Sequence, residues 1–148
     1  MTDTSSIETG DTWVGRVPSR SPETEPFWDA CNRNVFLVQR CNSCGKTQYH
    51  YRAICANCWS SDLEDIESTG RGKVWTYSVV RRNRSPIFES KVPYVVALVE
   101  LEEGVGVFGN IVECDPDTVA IGQDVTLAFT VAEDGQHIPV FRPVESAS

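Results

Sequence analysis

Residues 41–58 read CNSCGKTQYHYRAICANC, and a Cys-x-x-Cys pair stands at each end of this stretch. Cys41 and Cys44 form the first pair, Cys55 and Cys58 form the second, and ten residues separate the two pairs. Two residues between cysteines let both sulfurs turn toward the same ion, so the pairs can supply four thiolates to one tetrahedral site. We interpret the stretch as a zinc ribbon that binds one structural Zn²⁺ ion.

Two other interpretations of these cysteines stay open. Two disulfides would suit an oxidising compartment, and a rubredoxin-type iron site would use the same four thiolates. Zinc held by four thiolates has no open position for water, so we expect a structural ion rather than a catalytic one. The remaining cysteines, Cys31 and Cys114, belong to no motif, and we expect each to be a small buried hydrophobic residue.

Composition limits the classes of protein that need to be considered. The 148 residues, 41% hydrophobic and 23% charged, suit one globular domain or a small domain with an appended module. No apolar run approaches the roughly 20 residues of a membrane span, and the polar N-terminus lacks the apolar region of a signal peptide. Cysteines grouped for metal binding fit a reducing compartment. We therefore expect a cytoplasmic protein that does not bind a membrane.

Charge is distributed unevenly along the chain. The formal net charge of −8 argues against non-specific binding to a phosphate backbone. Residues 31–58, however, contain four basic residues and no acid, and residues 71–91 contain six basic residues against Glu89 alone. An acidic protein that segregates its cations in this way can still bind a compact anion locally.

Polar, helical and strand-forming stretches divide the chain into successive parts. We predict a flexible N-terminal arm that Trp13 and Val14 order in part, a docking helix, the zinc ribbon, a β-barrel and a tail. Their expected bounds are residues 1–20, 21–34, 35–69, 70–144 and 145–148.

The predicted helix has a start signal and one apolar side. Ser21 or Thr24 can cap its N-terminus, and acidic residues in the first turn favour the helix dipole. Phe27, Trp28 and Cys31 then form an apolar stripe. A helix this short is not stable alone, so we expect it to dock either on its own domain or on a partner protein.

Beyond the ribbon cysteines the pattern turns to strands. We expect an acidic, solvated loop over residues 60–68. Residues 73–80 alternate, which predicts a strand with Trp75, Tyr77 and Val79 on one face. The nearly continuous apolar run over residues 94–101 predicts a strand covered on both faces.

The remaining strands complete a small barrel. Residues 106–112, 125–131 and 138–141 read as three further strands, with Pro139 and Pro143 requiring an edge or closing position for the last one. Five short strands with one long connection between the third and the fourth fit the five-stranded OB-fold barrel. The predicted fold class is therefore mainly β, with an N-terminal helix, a four-cysteine ribbon and an OB-fold barrel.

The order of these parts resembles one known family. The matching pieces are the Phe27-Trp28 helix, the four-cysteine ribbon, GRGKV at residues 70–74, VPYVVALVEL at 92–101, IGQDV at 121–125 and FRP at 141–143. The family was long catalogued as domain of unknown function 35, a rubredoxin-like zinc ribbon fused to an OB-fold. The resemblance covers roughly residues 24–144.

This resemblance implies an accessory role rather than a catalytic site. Members of the family act beside thiolase-superfamily enzymes that handle acyl-CoA thioesters, including thiolases and lipid-transfer-protein-type aldolases that shorten steroid side chains. The resemblance therefore implies a thiolase-like or aldolase partner in a hetero-oligomer of α2β2 type, a contribution to the CoA and acyl channel, and a place in steroid or lipid degradation. Some relatives carry this module on an enoyl-CoA hydratase-like subunit, whereas this chain resembles the free-standing version.

The residues themselves do not predict independent catalysis. The chain has two histidines, His50 and His137, and no Gly-x-Ser-x-Gly elbow, His-Glu-x-x-His helix or phosphate-binding glycine loop. Cys114 stands beside Asp115, and an acidic neighbour raises a thiol pKa instead of lowering it.

Two groups of residues are candidates for binding. Arg81, Arg82 and Arg84 follow the first barrel strand, in a loop that OB-folds use for ligands. We expect them to meet CoA phosphates or acidic residues of the partner, and the alternative is a solvated loop without a specific role.

The second group is aromatic. Phe27, Trp28, Tyr49 and Tyr51 are candidate anchors for the partner, since aromatic residues dominate interface hot spots. The alternative for each is packing between helix, ribbon and barrel.

Two other functions compete with the accessory role. An OB-fold with Trp75 and Tyr77 could stack the bases of a single-stranded nucleic acid, although the acidic C-terminal half weighs against it. A ribbon that binds iron would make the chain a small electron carrier.

Overall fold

The computed structural model describes residues 8–13 and 15–144, which form two β-sheets and one α-helix. The elements are β1 (Glu8–Thr12), α1 (Glu25–Cys31), β2 (Leu37–Cys41), β3 (Thr47–Gln48), β4 (Leu63–Glu67), β5 (Arg71–Val80), β6 (Tyr94–Leu101), β7 (Gly106–Ile111), β8 (Asp124–Val131) and β9 (His137–Pro143). Residues 1–7, 14 and 145–148 lie outside the described residues. The predictions for the start of the arm, for Val14 and for the tail concern those positions.

The ribbon is a small antiparallel sheet in the order β3-β2-β4. The predicted acidic loop over residues 60–68 is wrong at its centre, because Leu63–Glu67 pairs with β2 from Leu37↔Glu67 to Cys41↔Leu63. Leu63 and Ile66 are half-buried three residues apart, and this spacing hid the alternation of a strand. The acidic side chains of β4 are exposed, as a solvated edge requires.

The second sheet closes into the predicted five-stranded barrel. Its order is β8-β5-β6-β7-β9, and the pairing of β8 with β9 joins the ends. Pro139 and Pro143 both lie in β9, the closing strand. Valine, leucine and phenylalanine side chains from alternate positions fill the interior, among them Val99, Val125 and Phe129, which are fully buried.

A sixth strand extends this sheet beyond the barrel. β1 runs parallel to β8 between Glu8↔Phe129 and Thr12↔Val131, and the Trp13 amide donates to the Val131 carbonyl at 3.2 Å. β1 was not predicted, because a short parallel edge strand carries no local signal in a polar segment.

A β-bulge in β5 changes which residues face the interior. Val74 pairs with Val99 and Thr76 pairs with Leu98, so Trp75 is the extra residue between them. Tyr77 and Val79 lie opposite Ala97 and Val95 on the inner face, whereas Trp75 is 63% exposed. The prediction of one shared face for Trp75, Tyr77 and Val79 is therefore wrong, because the bulge reverses the alternation.

Helix α1 docks on its own chain. Phe27, Ala30 and Cys31 are buried against the ribbon and barrel core. At its C-terminal end, the Asn32 side chain accepts from the His137 amide at 2.9 Å. At its N-terminal end, the Ser21 and Thr24 hydroxyls lie 3.1 Å apart and satisfy each other's backbone amides.

The ribbon is tied to the barrel by one hairpin turn. Thr47 Oγ1 donates to the Glu103 carbonyl at 2.9 Å. The Glu103 carboxylate accepts from Ser68 Oγ at 2.6 Å and from the Thr69 amide at 3.1 Å. These bonds cross from β3 and the end of β4 to the turn between β6 and β7, so they fix the position of the ribbon on the barrel.

Candidate metal centre and exposed surfaces

The four ribbon cysteines lie on two backbone turns of the same construction. Cys41 accepts at its carbonyl from the Gly45 amide at 2.8 Å, and Cys55 accepts from the Trp59 amide at 3.0 Å. The amides of Cys41 and Cys55 in turn donate to the residue five positions later, at 2.9 and 2.8 Å. Each Cys-x-x-Cys pair is therefore wrapped so that both of its sulfurs point the same way.

The two turns bring all four sulfurs together. The Sγ atoms of Cys41, Cys44, Cys55 and Cys58 lie within 4.8 Å of one another. Cys41 Sγ is 3.5 Å from Cys58 Sγ, and Cys44 Sγ is 3.7 Å from Cys55 Sγ. A tetrahedral ion with Zn–S bonds of about 2.3 Å separates its sulfurs by about 3.8 Å. The thiols are free, so this arrangement fits the zinc interpretation and not the disulfide one.

Backbone amides prepare these thiols for a cation. Donation from the Cys44 amide lowers the pKa of Cys41, and donation from the Cys58 amide lowers the pKa of Cys55. The Lys46 amide has the same effect on the pKa of Cys44. For Cys58 the Ser60 amide lowers the pKa, but the sulfur of Cys41, burial and the other two sulfurs raise it to about 12. A fourth thiolate is thus unfavourable until a cation neutralises the group.

Two glutamines that the sequence analysis missed hold the second turn in place. Gln39 is buried in β2, where its Nε2 donates to the Arg52 carbonyl at 2.8 Å and its Oε1 accepts from the Arg52 amide at 3.0 Å. Gln48 Nε2 donates to Gln39 Oε1 at 2.7 Å, and Gln48 Oε1 accepts from the Ala56 amide at 2.9 Å. The sequence signal that could have identified Gln39 is its position at the end of the apolar run VFLVQ, where a single side-chain amide needs a hydrogen-bond partner.

The other two cysteines lie in unreactive settings. Cys31 is fully buried, and burial raises its pKa to about 12. Cys114 is half-buried, and burial together with the Asp115 carboxylate raises its pKa as well. Both thiols therefore stay protonated at neutral pH, and Cys114 is not placed as a nucleophile.

The three candidate arginines do not form one free cluster. Arg81 makes an ion pair with Asp117 on the connection between β7 and β8. Arg82 and Arg84 are exposed and pair with no acid among the described residues. Hydrogen bonds from Asn83 to Tyr94 and from the Ser85 amide to Asn83, both 2.9 Å, shape the loop between them.

The candidate aromatic anchors pack mainly into the core. Phe27 is 5% exposed and meets the Phe36 ring edge-on, so its side chain has no surface to offer to a partner. Tyr49 stacks on Phe36 at 5.3 Å, and burial raises its pKa to about 12. Tyr51 donates to both Asp65 oxygens, at 2.8 and 2.9 Å. Trp28 and the two tyrosines keep part of their surfaces open.

Other apolar side chains are much more exposed than these. Trp59 is 77% exposed, Trp75 63%, and Phe108 and Ile121 each 69%. Trp59, Phe108 and Ile121 were not predicted as surface residues, because local sequence does not tell an exposed apolar side chain from a buried one. Over the described ranges, no helix is long and apolar enough to cross a membrane.

Comparison with known families covers both parts of the chain. Residues 28–64 match a family described as ChsH2, rubredoxin-like zinc ribbon domain. Residues 65–130 match a family described as ChsH2, C-terminal OB-fold domain. The division lies at the start of β4, close to the junction of ribbon and barrel.

Several curated proteins are similar to this chain. A DUF35 domain-containing scaffold protein of Methanocaldococcus jannaschii is 40% identical over 77% of this chain and 85% of its own length. A probable enoyl-CoA hydratase alpha subunit of Thermomonospora curvata is 38% identical over 79% of this chain, which spans only 36% of that protein. A benzoylsuccinyl-CoA thiolase subunit BbsA of Geobacter metallireducens is 28% identical, over 68% of this chain and 66% of its length.

A solved structure agrees with these relatives. A chain of the Ltp2-ChsH2(DUF35) aldolase superposes with a TM-score of 0.76 and 35% identity, covering 86% of this chain and 98% of that one. The two family matches give the order of zinc ribbon and OB-fold that the sheets of this chain show. The chain belongs to the DUF35 family, in the form that joins a ChsH2-type zinc ribbon to an OB-fold barrel.

Proposed function

We propose that the chain is a non-catalytic accessory subunit that binds and stabilises a thiolase-superfamily partner acting on acyl-CoA thioesters. The observation that carries this proposal is the likeness to a chain of the Ltp2-ChsH2(DUF35) aldolase, which extends over 98% of that chain. The names of a thiolase subunit and of scaffold proteins among its relatives support the same role. The partner, in this proposal, performs the bond-breaking chemistry.

The metal centre supports a structural role for the ribbon. We propose that Cys41, Cys44, Cys55 and Cys58 bind one zinc ion, and four thiolates leave it no open position for water or substrate. The buried Gln39 and the half-buried Gln48 orient the second turn, as groups behind a metal site usually do. The ion would then hold the ribbon rigid on the barrel, and this arrangement suits the reducing cytoplasm.

The loop after β5 supports a contribution to acyl-CoA binding. Arg82 and Arg84 have no acidic partner among the residues described, and guanidinium groups suit phosphate. Arg81 is already engaged by Asp117, so the CoA-phosphate role is assigned to the other two arginines. Trp28, Tyr49 and Tyr51 remain candidates for partner contacts at the junction of helix and ribbon.

The test is co-production with the thiolase-superfamily subunit of the same host. We expect the two chains to co-purify through gel filtration, and light scattering to give the mass of an α2β2 assembly. Each chain produced alone provides the control for separate elution. Separate elution of the two chains after co-production, at micromolar concentration and physiological salt, would contradict the proposal.

A further inference from the structure

The outer surface of β5, β6 and β7 carries a row of exposed apolar side chains. Thr76, Leu98 and Phe108 are register partners across the three strands. The bulge places Trp75 beside this row at 63% exposure, and Phe108 is 69% exposed. The Gly122 amide donates to the Val74 carbonyl at 2.7 Å, which brings the neighbouring Ile121, also 69% exposed, to the same edge.

We propose that this surface, Trp75, Leu98, Phe108 and Ile121, is where the thiolase-superfamily subunit docks. We name it the β5–β7 face. The inference rests on the proposed function, since it assigns a surface to the partner named there.

The sequence of β6 predicts burial of both faces of the strand, but this chain buries only the inner face. Its apolar run is nearly continuous, which is typical of a strand buried on both faces. In the structure Val95, Ala97 and Val99 are buried inside the barrel, whereas the outward Val96 and Leu98 are only half-buried. Among the residues described, no segment of this chain therefore buries the outer face of β6.

On β8 and β9, by contrast, other segments of the chain bury the residues that point out of the barrel. Ala128, Thr130 and Val140 alternate with the interior side chains of β8 and β9, yet they are buried. Trp13 and Phe88 line a cavity of about 130 Å³ together with Thr130 and Val140, so the N-terminal segment and the loop before β6 lie over that face. The contrast makes the open β5–β7 face a specific feature and not a general property of this barrel.

The bulge provides a reason for the direction of Trp75. A regular strand would place Trp75 on the same side as Tyr77 and Val79, inside the barrel. The extra residue at the bulge lets Tyr77 and Val79 stay on the inner face while Trp75 points outward. Bulges commonly redirect a side chain next to a functional surface.

The size of the face suits a protein. At the exposures of Trp75 and Phe108, the two rings leave roughly 250 Å² open if a full aromatic side chain offers about 200 Å². With Ile121 added, the face falls in the range of about 300–600 Å² that marks functional patches on monomers. A standard interface buries about 800 Å² per partner, and somewhat more than half of that area is apolar, so a patch of this size is large enough for its apolar centre.

Charges around the face favour an acidic or CoA-carrying protein over a nucleic acid. Lys73 pairs with Asp124 at 2.6 Å, and Arg81 pairs with Asp117, so both of these cations are already neutralised. A long phosphate backbone needs many cations, and a chain with a formal net charge of −8 offers it few. Past the end of β5, however, Arg82 and Arg84 add an unpaired cationic rim, which complements acidic side chains or bound acyl-CoA on the partner.

The experiment compares two double variants in binding to the purified thiolase-superfamily subunit. Trp75→Ala with Phe108→Ser removes the centre of the face. Trp59→Ala with Ile54→Ser is the control, since it removes a tryptophan and a second apolar side chain from the ribbon that are 77% and 42% exposed. All four side chains are exposed, so both variants should fold, and circular dichroism checks this. We expect the first variant to bind at least roughly 100-fold more weakly and the control to stay within about threefold of wild type.

Each other outcome has a definite meaning. If wild type binds and the face variant binds as tightly, the inference is wrong and the proposed function stands. If only the ribbon variant loses binding, the partner docks on the ribbon instead. If wild type does not bind the subunit at all, the proposed function fails and this inference fails with it.

Two further readouts identify a different occupant. Gel filtration of the chain alone would show a dimer abolished by Trp75→Ala with Phe108→Ser if a second copy covers the face. If a single-stranded nucleic acid binds the face, an oligonucleotide would quench the fluorescence of Trp75, and added salt would weaken this quenching. Either result, together with unchanged binding of the variant to the partner subunit, would overturn the inference.

Discussion

Gly45 and Trp59 occupy equivalent positions in the two metal-binding turns. Each follows the second cysteine of its pair, and each donates its amide to the carbonyl of the first cysteine. Both have a left-handed backbone, with φ of 80° at Gly45 and 69° at Trp59. Glycine adopts this conformation freely, whereas a side chain raises its energy by about 1–2 kcal/mol.

This equivalence predicts opposite effects of exchange at the two positions. Trp59→Gly should raise the free energy of unfolding by about 1 kcal/mol, and Gly45→Ala should lower it by about 1 kcal/mol. A Cβ at Gly45 has open space around it, so the loss there would be conformational and not steric. Urea unfolding of the zinc-loaded protein measures both changes.

Trp59→Ala is the control for this comparison. It removes the exposed ring but keeps a side chain at positive φ, so it should change stability by less than about 0.5 kcal/mol. A Trp59→Gly protein less stable than Trp59→Ala would show that the left-handed backbone is not the source of strain.

The metal centre predicts the reactivity of the thiols. In the zinc-loaded protein we expect only the half-buried Cys114 to react with a thiol reagent, and only slowly, because its pKa is raised. Cys31 should react only after unfolding, since it is fully buried. A strong chelator should release one zinc per chain and expose the four ribbon thiols.

The absorbance of a zinc indicator measures how many zinc ions each chain releases. Rapid reaction of the ribbon thiols before chelation would contradict a closed zinc site. A coloured protein that contains iron would support the electron-carrier alternative instead.

Gln39 predicts a link between the core of the ribbon and its metal affinity. Gln39→Leu keeps a similar size but leaves the Arg52 amide and carbonyl without their side-chain partner. Each such hydrogen bond contributes about 0.5–1.5 kcal/mol, so losing both costs about 1–3 kcal/mol, and zinc affinity should fall by about tenfold. Competition with a chelator of known affinity measures this change. Gln123→Leu, which removes a glutamine side-chain bond on the barrel, is the control and should not alter zinc affinity.

The unpaired arginines predict a charge-dependent effect on acyl-CoA binding. Arg82→Glu with Arg84→Glu should weaken acyl-CoA binding by the complex by about tenfold or more, since each phosphate contact is charge-assisted. Arg33→Glu, which reverses an exposed cation in the turn after α1, is the control. Calorimetry with free CoA and with acyl-CoA measures the affinities. Equal affinities for the arginine variant and the control would mean that the loop is solvated and has no specific role in binding.

The parts of the structure that local sequence encodes were predicted well. Metal ligands at fixed spacing select a ribbon regardless of the rest of the chain, and the apolar runs over residues 94–101 and 125–131 give strands β6 and β8. Thr24, one of the two predicted caps, is the N-cap residue of α1, but its side chain bonds to Ser21 and makes no capping hydrogen bond to the helix.

The features that were missed depend on distant pairing. Strand β4 forms because its backbone pairs with β2, and β1 forms because it meets β8 at an open edge. The bulge at Trp75 depends on the register with β6 and reverses the alternation that local sequence suggests. For the same reason, the pattern could not separate the buried Phe27 from the exposed Trp59 and Phe108.

The accessory role is tested by the rate of acyl-CoA turnover in three preparations: this chain alone, the thiolase-superfamily subunit alone, and the purified complex. We expect no turnover by this chain at any pH, and substantially faster turnover by the complex than by the partner alone. Turnover by this chain alone would show that it is not an accessory subunit. A partner whose rate and stability stay the same when the chain is added would show the same.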